Sequence, residues 1–311
     1  MKSIKIDVFG LVQGVGFRPF VYSLAKNLGL NGIVLNNSSG VKIELCGDKK
    51  SIDSFISKLQ TNLPPLARID DFIISDGDKI YEDFNIVGSQ EGYKFAPILP
   101  DFAICDECKF ELKDPTNRRY NHPFINCTNC GPRFSLIKSL PYDRINTTMS
   151  KFNMCRQCQD EYSDPTNRRY HAQPVACKNC GPKISYKSLD GKTLANDIEA
   201  INKCVNDLKD GKIIAIKGIG GFHLVCDALN NEAISRLKER KRRPHKPLAI
   251  MCKDLDMACS YAYINESEAK ILNSNLKPIV LLKSKNNLPK SISSGVGSVG
   301  IFLPPTPLHI M

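Results

Sequence analysis

Eight cysteines stand in four Cys-x-x-Cys pairs, and their spacing is that of a metal-binding pattern. Cys105, Cys108, Cys127 and Cys130 form one set; Cys155, Cys158, Cys177 and Cys180 form another. Each reads Cys-x2-Cys-x18-Cys-x2-Cys. Two intervening residues let both thiolates of a tight knuckle reach one ion. Two knuckles complete a tetrahedron of soft ligands, the coordination that structural zinc prefers. Four thiolates leave no open position for water, so two structural Zn²⁺ are predicted, lending folding energy to segments poor in apolar residues. Spacing leaves open whether each set closes on itself or the two exchange knuckles. His122 and His171 are spare ligand candidates, with a surface or hydrogen-bonding role as the alternative.

A second grouping is "GLVQGVGFRPF", residues 10–20. Glycines between a strand and a helix let backbone approach a ligand closely. With a helix starting near Pro19, the amides of Gly14, Val15, Gly16, Phe17 and Arg18 and the positive helix end converge on one point. Such a point binds anions, and the Arg18 guanidinium adds a permanent planar charge that matches phosphate oxygens. An ordinary tight turn with a solvent-facing arginine is the plain alternative.

The third grouping is basic. In "ISRLKERKRRPHKPLAIM" Lys241 and Arg243 stand two apart at a helix end, where they could grip a nucleotide's phosphates or simply form a solvated face. Lys217, in "AIKGIGGFH", is a weaker nucleotide-binding candidate. His223 beside it reads as a packed histidine.

These groups need elements to hold them. Residues 1–90 read as strand, helix, hairpin, helix and late strands, the βαββαβ order of a ferredoxin-like domain. The hairpin turns at 37–40, Gly29 marks the end of the first helix, and Pro64-Pro65 stop the second. Residues 91–100 read as a linker. Residues 101–187 hold a duplication with a shift of 50: "DPTNRRY" occurs identically at 114–120 and 164–170. From 188 to 311 α/β signals return, with strands in "PLAIMC", "PIVLLKS" and "VGIFLP". Pro307 suits the first turn of a helix that has barely begun, so this last segment is read as truncated at its C-terminus. The fold class is therefore α+β, multidomain.

The formal charge is +11. Eight thiolates around two zinc ions would remove a net four charges, leaving about +7, still favourable to anionic ligands. No long apolar run and no leader-like core occur, so no membrane is implied and the cytoplasm is the default compartment. The remaining cysteines (Cys46, Cys204, Cys226, Cys252 and Cys259) read as small buried hydrophobes.

Residues 10–47 resemble the acylphosphatase signature. The resemblance implies that the loop and Arg18 bind the phosphate and that Asn36, eighteen residues on, positions the attacking water. An acylphosphatase-like segment followed by duplicated "NCGPR" and "NCGPK" knuckles resembles the HypF family, carbamoyltransferases of [NiFe]-hydrogenase maturation, over essentially the whole chain. Lys241, Arg243 and Pro244 match the K-x-R-P signature of YrdC-like proteins, while the family's serine–x–asparagine element has no match. The resemblance implies hydrolysis of carbamoyl phosphate and ATP- and Mg²⁺-dependent carbamoyl adenylate formation. It further implies transfer to the C-terminal cysteine of HypE for cyanide ligand synthesis, by a C-terminal domain that this chain lacks.

A zinc-containing RNA-binding or tRNA-modification protein is the rival reading, and a scaffold with decayed sites a second. Against the first, aromatic residues are not interleaved with the basic run 238–246, so no base-stacking platform is evident and nucleic acid is not the expected partner. Intact Arg18 and Asn36 oppose the second.

Overall fold

Alternation along Lys2–Leu11 sends Ile4, Ile6 and Val8 to one buried face and makes this stretch the strand β1. In the computed structural model, which describes residues 2–37, 39–88, 98–140, 142–293 and 295–311, β1 is followed by α1 (Phe17–Asn27), β2 (Asn31–Asn36), β3 (Val41–Gly47), α2 (Lys49–Thr61), β4 (Arg68–Asp76) and β5 (Phe84–Ile86). The strands form one sheet in the order β4-β1-β3-β2-β5, antiparallel except where the short β5 runs parallel to β2. This is the expected ferredoxin-like arrangement with a fifth strand at the edge. Val21, Leu24 and Ala25 of α1 and Ile52, Phe55 and Leu59 of α2 are buried, the apolar stripes that helical periodicity requires.

Capping follows the local residues. Asp48 accepts from the Ser51 amide and starts α2. Past the end of α1, Gly29 adopts a left-handed φ of 64°, and the Leu30 amide reaches back to the Ala25 carbonyl. The helix α1 begins at Phe17, two residues earlier than the Pro19 start the sequence suggested. Gly16, at φ 76°, serves as its N-cap and turns the chain into the helix in a single step.

Two short helices open the cysteine repeats, α3 (Asp106–Lys113) after Cys105 and α4 (Arg156–Ser163) after Cys155. The chain divides into two compact units. One holds residues 1–101 with 126–181; the other holds 102–125 with 182–311. The second set of cysteines, Cys155 to Cys180, lies in the first unit. The linker expected at 91–100 falls mostly on residues 91–97, outside the described residues, as does Ser38 of the hairpin turn.

In the second unit β6 (Ser185–Lys187) and β7 (Thr193–Asn196) form a hairpin ahead of α5 (Asp197–Lys209). The glycine-rich turn 218–221 joins β8 (Ile214–Lys217) to β9 (Phe222–Val225) as an antiparallel pair. Next come α6 (Asn231–Arg240), β10 (Ala249–Met251), α7 (Leu255–Tyr261), β11 (Ala262–Tyr263) and α8 (Glu266–Asn273). The unit ends with β12 (Val280–Ser284), α9 (Lys290–Ser293), β13 (Ser298–Phe302) and α10 (Pro307–Ile310). A mixed sheet β10-β13-β12-β11 carries the core, with Ile250, Leu282, Val299 and Ile301 buried against Ile234 and Leu272. Of the five cysteines outside the repeats, Cys46 and Cys252 are buried; Cys204, Cys226 and Cys259 are only half-buried. No helix among the described residues is long and apolar enough to cross a membrane.

Candidate anion site and metal centres

The loop between β1 and α1 builds a site from three local features. Gly14 (φ 70°) and Gly16 (φ 76°) take left-handed conformations that a side chain would resist. Val15 between them is buried and anchors the turn. The amides of Val15, Gly16, Phe17 and Arg18 find no acceptor among the described residues, as the first turn of a helix dictates. A cluster of N–H groups at a positive helix end is a cradle for an anion.

Arg18 is 8% exposed, and its Nη2 donates to Oδ1 of Asp143 at 3.1 Å. The guanidinium is therefore buried and oriented, not solvent-facing. It lines a cavity of about 350 Å³, part of it open to solvent, together with Gly14, Gly16 and Phe17. The opposite wall comes from residues 126–181 of the same unit: Thr128, Arg133, Tyr142, His171 and Gln173. Arg133, 2% exposed, donates Nε to the Gly14 carbonyl at 2.6 Å and its remaining N–H groups to the carbonyls of Cys127, Thr128, Cys130 and Pro132. That bond fixes the Gly14 peptide. A Cβ at Gly14 would also come within 3.1 Å of the Tyr142 ring.

Asn36 ends β2 and is fully buried, yet neither its Oδ1 nor its Nδ2 has a hydrogen-bonding partner among the described residues. An orphaned buried amide costs about 1–3 kcal/mol per unsatisfied group, so a core position would not retain one without a use. Asn36 is not among the residues that line the cavity. The connection runs through Gln13, whose Nε2 donates to the carbonyls of Asn37 at 2.7 Å and Gly40 at 2.8 Å and so ties the glycine loop to the hairpin end beside Asn36.

His171 stands in the cavity wall and belongs to no metal-binding group. It stacks edge-on against Tyr170 at 4.6 Å and leans on Tyr162 at 5.0 Å. Burial, with the Arg18 charge next, depresses its pKa to about 4, so the ring is neutral near pH 7. Burial likewise raises the Tyr162 and Tyr142 hydroxyls above their ordinary values. Sequence reasoning passed over Arg133, Tyr142 and Asp143. Only the repeat register, which sets Arg133 opposite Lys183, marked any of them as unusual.

In the second cysteine set the sulfurs of Cys155, Cys158, Cys177 and Cys180 lie within 4.8 Å of one another. Cys155 to Cys177 and Cys177 to Cys180 are both 3.7 Å. Four ligands at about 2.3 Å on a tetrahedron stand about 3.8 Å apart, so this set fits one zinc ion. The second repeat therefore closes on its own cysteines without exchanging knuckles. Burial opposes ionisation of Cys177, but amides of Asn179 and Cys180 and the neighbouring thiols outweigh it and bring its pKa down to about 7. In the first set, Cys127 and Cys130 hold a knuckle spacing of 3.9 Å, and Arg168 Nη2 reaches the Cys127 sulfur at 3.2 Å. His122, although buried, stands outside both sets.

Lys217 ends β8, exposed, 5.7 Å above the Phe222 ring. Lys241 is the C-cap of α6, and Arg243 follows a left-handed Arg242 (φ 51°), so the pair sits on the turn beyond the helix, exposed. His223 is exposed and stacks on His309, with centroids 5.8 Å apart. The packed position the sequence suggested for it is not found, because the face of β9 that carries it is open.

Comparison with known proteins extends this geometry. An acylphosphatase family model matches residues 4–86. A HypF finger model matches 104–137 and 154–186, so each match holds one four-cysteine set and the two sets fit two zinc ions. A Sua5/YciO/YrdC model described as "Telomere recombination" matches 206–311. The chain is 50% identical over 312 residues to a carbamoyltransferase HypF of Synechocystis sp., covering 99% of this chain and 41% of that protein. It is 42% identical over 88 residues to an acylphosphatase of Ligilactobacillus salivarius, covering 28% of this chain and 98% of that one. A crystal structure of full-length HypF in a phosphate- and nucleotide-bound form superposes with a TM-score of 0.93 at 46% identity, over 99% of this chain and 41% of that one. The chain thus spans about two-fifths of the HypF proteins it matches. Through its first segment it belongs to the acylphosphatase family, and along its whole length it is a homologue of the HypF carbamoyltransferases.

Proposed function

We propose that this chain hydrolyses carbamoyl phosphate at the glycine loop, as one part of a carbamoyltransferase. The observation that carries the reading is the cradle itself: amides of Val15 to Arg18 without acceptors among the described residues, at a helix end, beside a buried guanidinium. The loop and Arg18 hold the phosphoryl oxygens and stabilise the charge that grows on them as the acyl bond breaks. Asn36, with both amide atoms unengaged among the described residues, orients a neutral water for attack on the held phosphoryl group. No nucleophilic side chain is required.

Carbamate decomposes quickly in water, so it passes shielded to the segment from 188 to 311. There Lys241, Arg243 and Lys217 hold ATP with Mg²⁺, and carbamoyl adenylate forms. A further domain carries the group to the C-terminal cysteine of HypE, toward the cyanide ligands of a hydrogenase, in the cytoplasm. Supporting this sequence of steps are the relatives' carbamoyltransferase names and the phosphate- and nucleotide-bound state of the superposed structure. The functional segments are 1–90, the linker 91–100, the zinc module 101–187 and the nucleotide-binding segment 188–311.

The test is carbamoyl phosphate hydrolysis by the chain and by Arg18→Ala. Removing one preorganised oxyanion contact costs about 10²–10³ in rate, and a charged one no less. Equal turnover by both proteins refutes the site.

A further inference from the structure

Tyr142 is 6% exposed and stands in the wall of the Arg18 cavity, yet its hydroxyl finds no hydrogen-bonding partner among the described residues. It lies beyond the stretch 4–86 that matches acylphosphatases. The Arg133 charge acts on this hydroxyl, but Arg133 cannot be its partner. A guanidinium has five N–H donors and accepts nothing. All five are committed to carbonyls: Nε to Gly14, Nη1 to Cys130 and Pro132, Nη2 to Cys127 and Thr128.

Other polar groups of this wall are engaged elsewhere. Thr128 Oγ1 donates to the Arg168 carbonyl at 3.1 Å. Gln173 Oε1 accepts from the Arg144 amide and the Tyr162 hydroxyl, and its Nε2 donates to the His171 carbonyl. Tyr142 also borders a second cavity, where Ile98, Leu99, Ile137 and Leu140 offer no side-chain acceptor and Gln13 Oε1 is itself unpartnered among the described residues. Burial raises the Tyr142 pKa above its ordinary value, so the hydroxyl keeps its proton near pH 7 and is a donor. The ring edge packs on the loop: a Cβ at Gly14 would come within 3.1 Å of Cδ1 and Cε1. With phosphoryl oxygens held by the loop amides and Arg18, the acyl half of a bound acyl phosphate must lie toward the opposite wall, which Tyr142 helps to form.

We infer that the Tyr142 hydroxyl is a catalytic donor that binds the carbonyl oxygen of the carbamoyl group and stabilises the carbamate as it departs. This rests on the proposed hydrolysis of carbamoyl phosphate. In that reaction the water oxygen bonds to phosphorus while the bridging P–O bond breaks. The electron pair goes to the bridging oxygen, and carbamate leaves with its charge shared over two oxygens. Both protons of the water stay with the phosphate, so a dianionic substrate gives two monoanions. An O–H bond to the carbonyl oxygen strengthens as that charge grows, and an interaction stronger in the transition state than in the bound substrate lowers the barrier.

The experiment compares the chain with Tyr142→Phe, which keeps the ring and drops the hydroxyl. It measures kcat/KM for carbamoyl phosphate, the affinity for inorganic phosphate by calorimetric titration, and the melting temperature. The expected result is a kcat/KM lower by about tenfold or more, with phosphate affinity held within about twofold because phosphate has no acyl oxygen, and no fall in melting temperature. Unchanged turnover overturns the inference. Parallel losses of turnover and phosphate affinity also overturn it and place the hydroxyl on the cradle. A lower melting temperature with turnover retained overturns it too and pairs the hydroxyl with Gln13. If the unmodified chain turns over no carbamoyl phosphate, the hydrolysis reading itself fails, and the inference falls with it.

Discussion

Arg133 donates its Nε hydrogen to the carbonyl of Gly14 at 2.6 Å, although the two residues stand 119 positions apart. One guanidinium thereby joins the Cys127–Cys130 knuckle, through the carbonyls of both cysteines, to the peptide that opens the anion cradle.

Arg133→Met should therefore act at two places. Five N–H donors disappear and several buried carbonyls lose a partner, at about 1–3 kcal/mol for each group left unsatisfied. The melting temperature should drop by several degrees. Inorganic phosphate should also bind at least tenfold more weakly, read by calorimetric titration. A variant that melts lower but binds phosphate as before would show that Arg133 supports only the knuckle.

Asn36→Ala separates function from stability in the opposite sense. Its two amide atoms are buried without partners among the described residues, so truncation relieves an existing penalty while opening a small cavity. The net change in unfolding free energy should stay within about 1 kcal/mol, and carbamoyl phosphate turnover should drop by two orders of magnitude or more. A destabilisation well above that range, by urea titration, would mean that the amide serves the core.

Two zinc ions per chain are expected by elemental analysis, and one after Cys177→Ser. Metal retention should also depend on pH with a definite sign. In the metal-free chain the Cys177 thiol is brought down to about 7, so zinc meets a ready thiolate above that value and must displace a proton below it. Zinc affinity should therefore weaken as pH falls below about 7, measured by competition with a chelator at a series of pH values. Retention of both ions in Cys177→Ser would contradict the assigned set.

His171 gives an acid-sensitive term. Its pKa falls from 6.5 to about 4 on folding, so the unfolded chain binds the extra proton between those values. The neutral ring's contribution is fully present above about 6.5 and is lost as pH drops toward 4. His171→Asn tolerates the left-handed backbone at this position (φ 52°) and should flatten stability against pH across that window. Denaturant midpoints at pH 7 and pH 5 would measure it; an undiminished difference would assign the acid sensitivity elsewhere.

The cysteine spacing, the duplicated "DPTNRRY" and the βαββαβ alternation are local regularities, and each can be read without a structure because its physical cause acts over a few residues. A knuckle is built by a two-residue gap, an amphipathic helix by its 3.6-residue period, and an anion cradle by glycines followed directly by a helix start. Even there the neighbourhood mattered: left-handed Gly16 moved the start of α1 to Phe17. Pairings across the sequence were settled only by tertiary packing. Asp143 beside Arg18, Arg133 on Gly14 and His171 in the cavity wall come from a finger segment that folds against the acylphosphatase sheet within one unit. No periodicity encodes such contacts. They follow from which buried surfaces fit and which orphaned backbone groups need donors, and the chain must close over a hundred residues before they form.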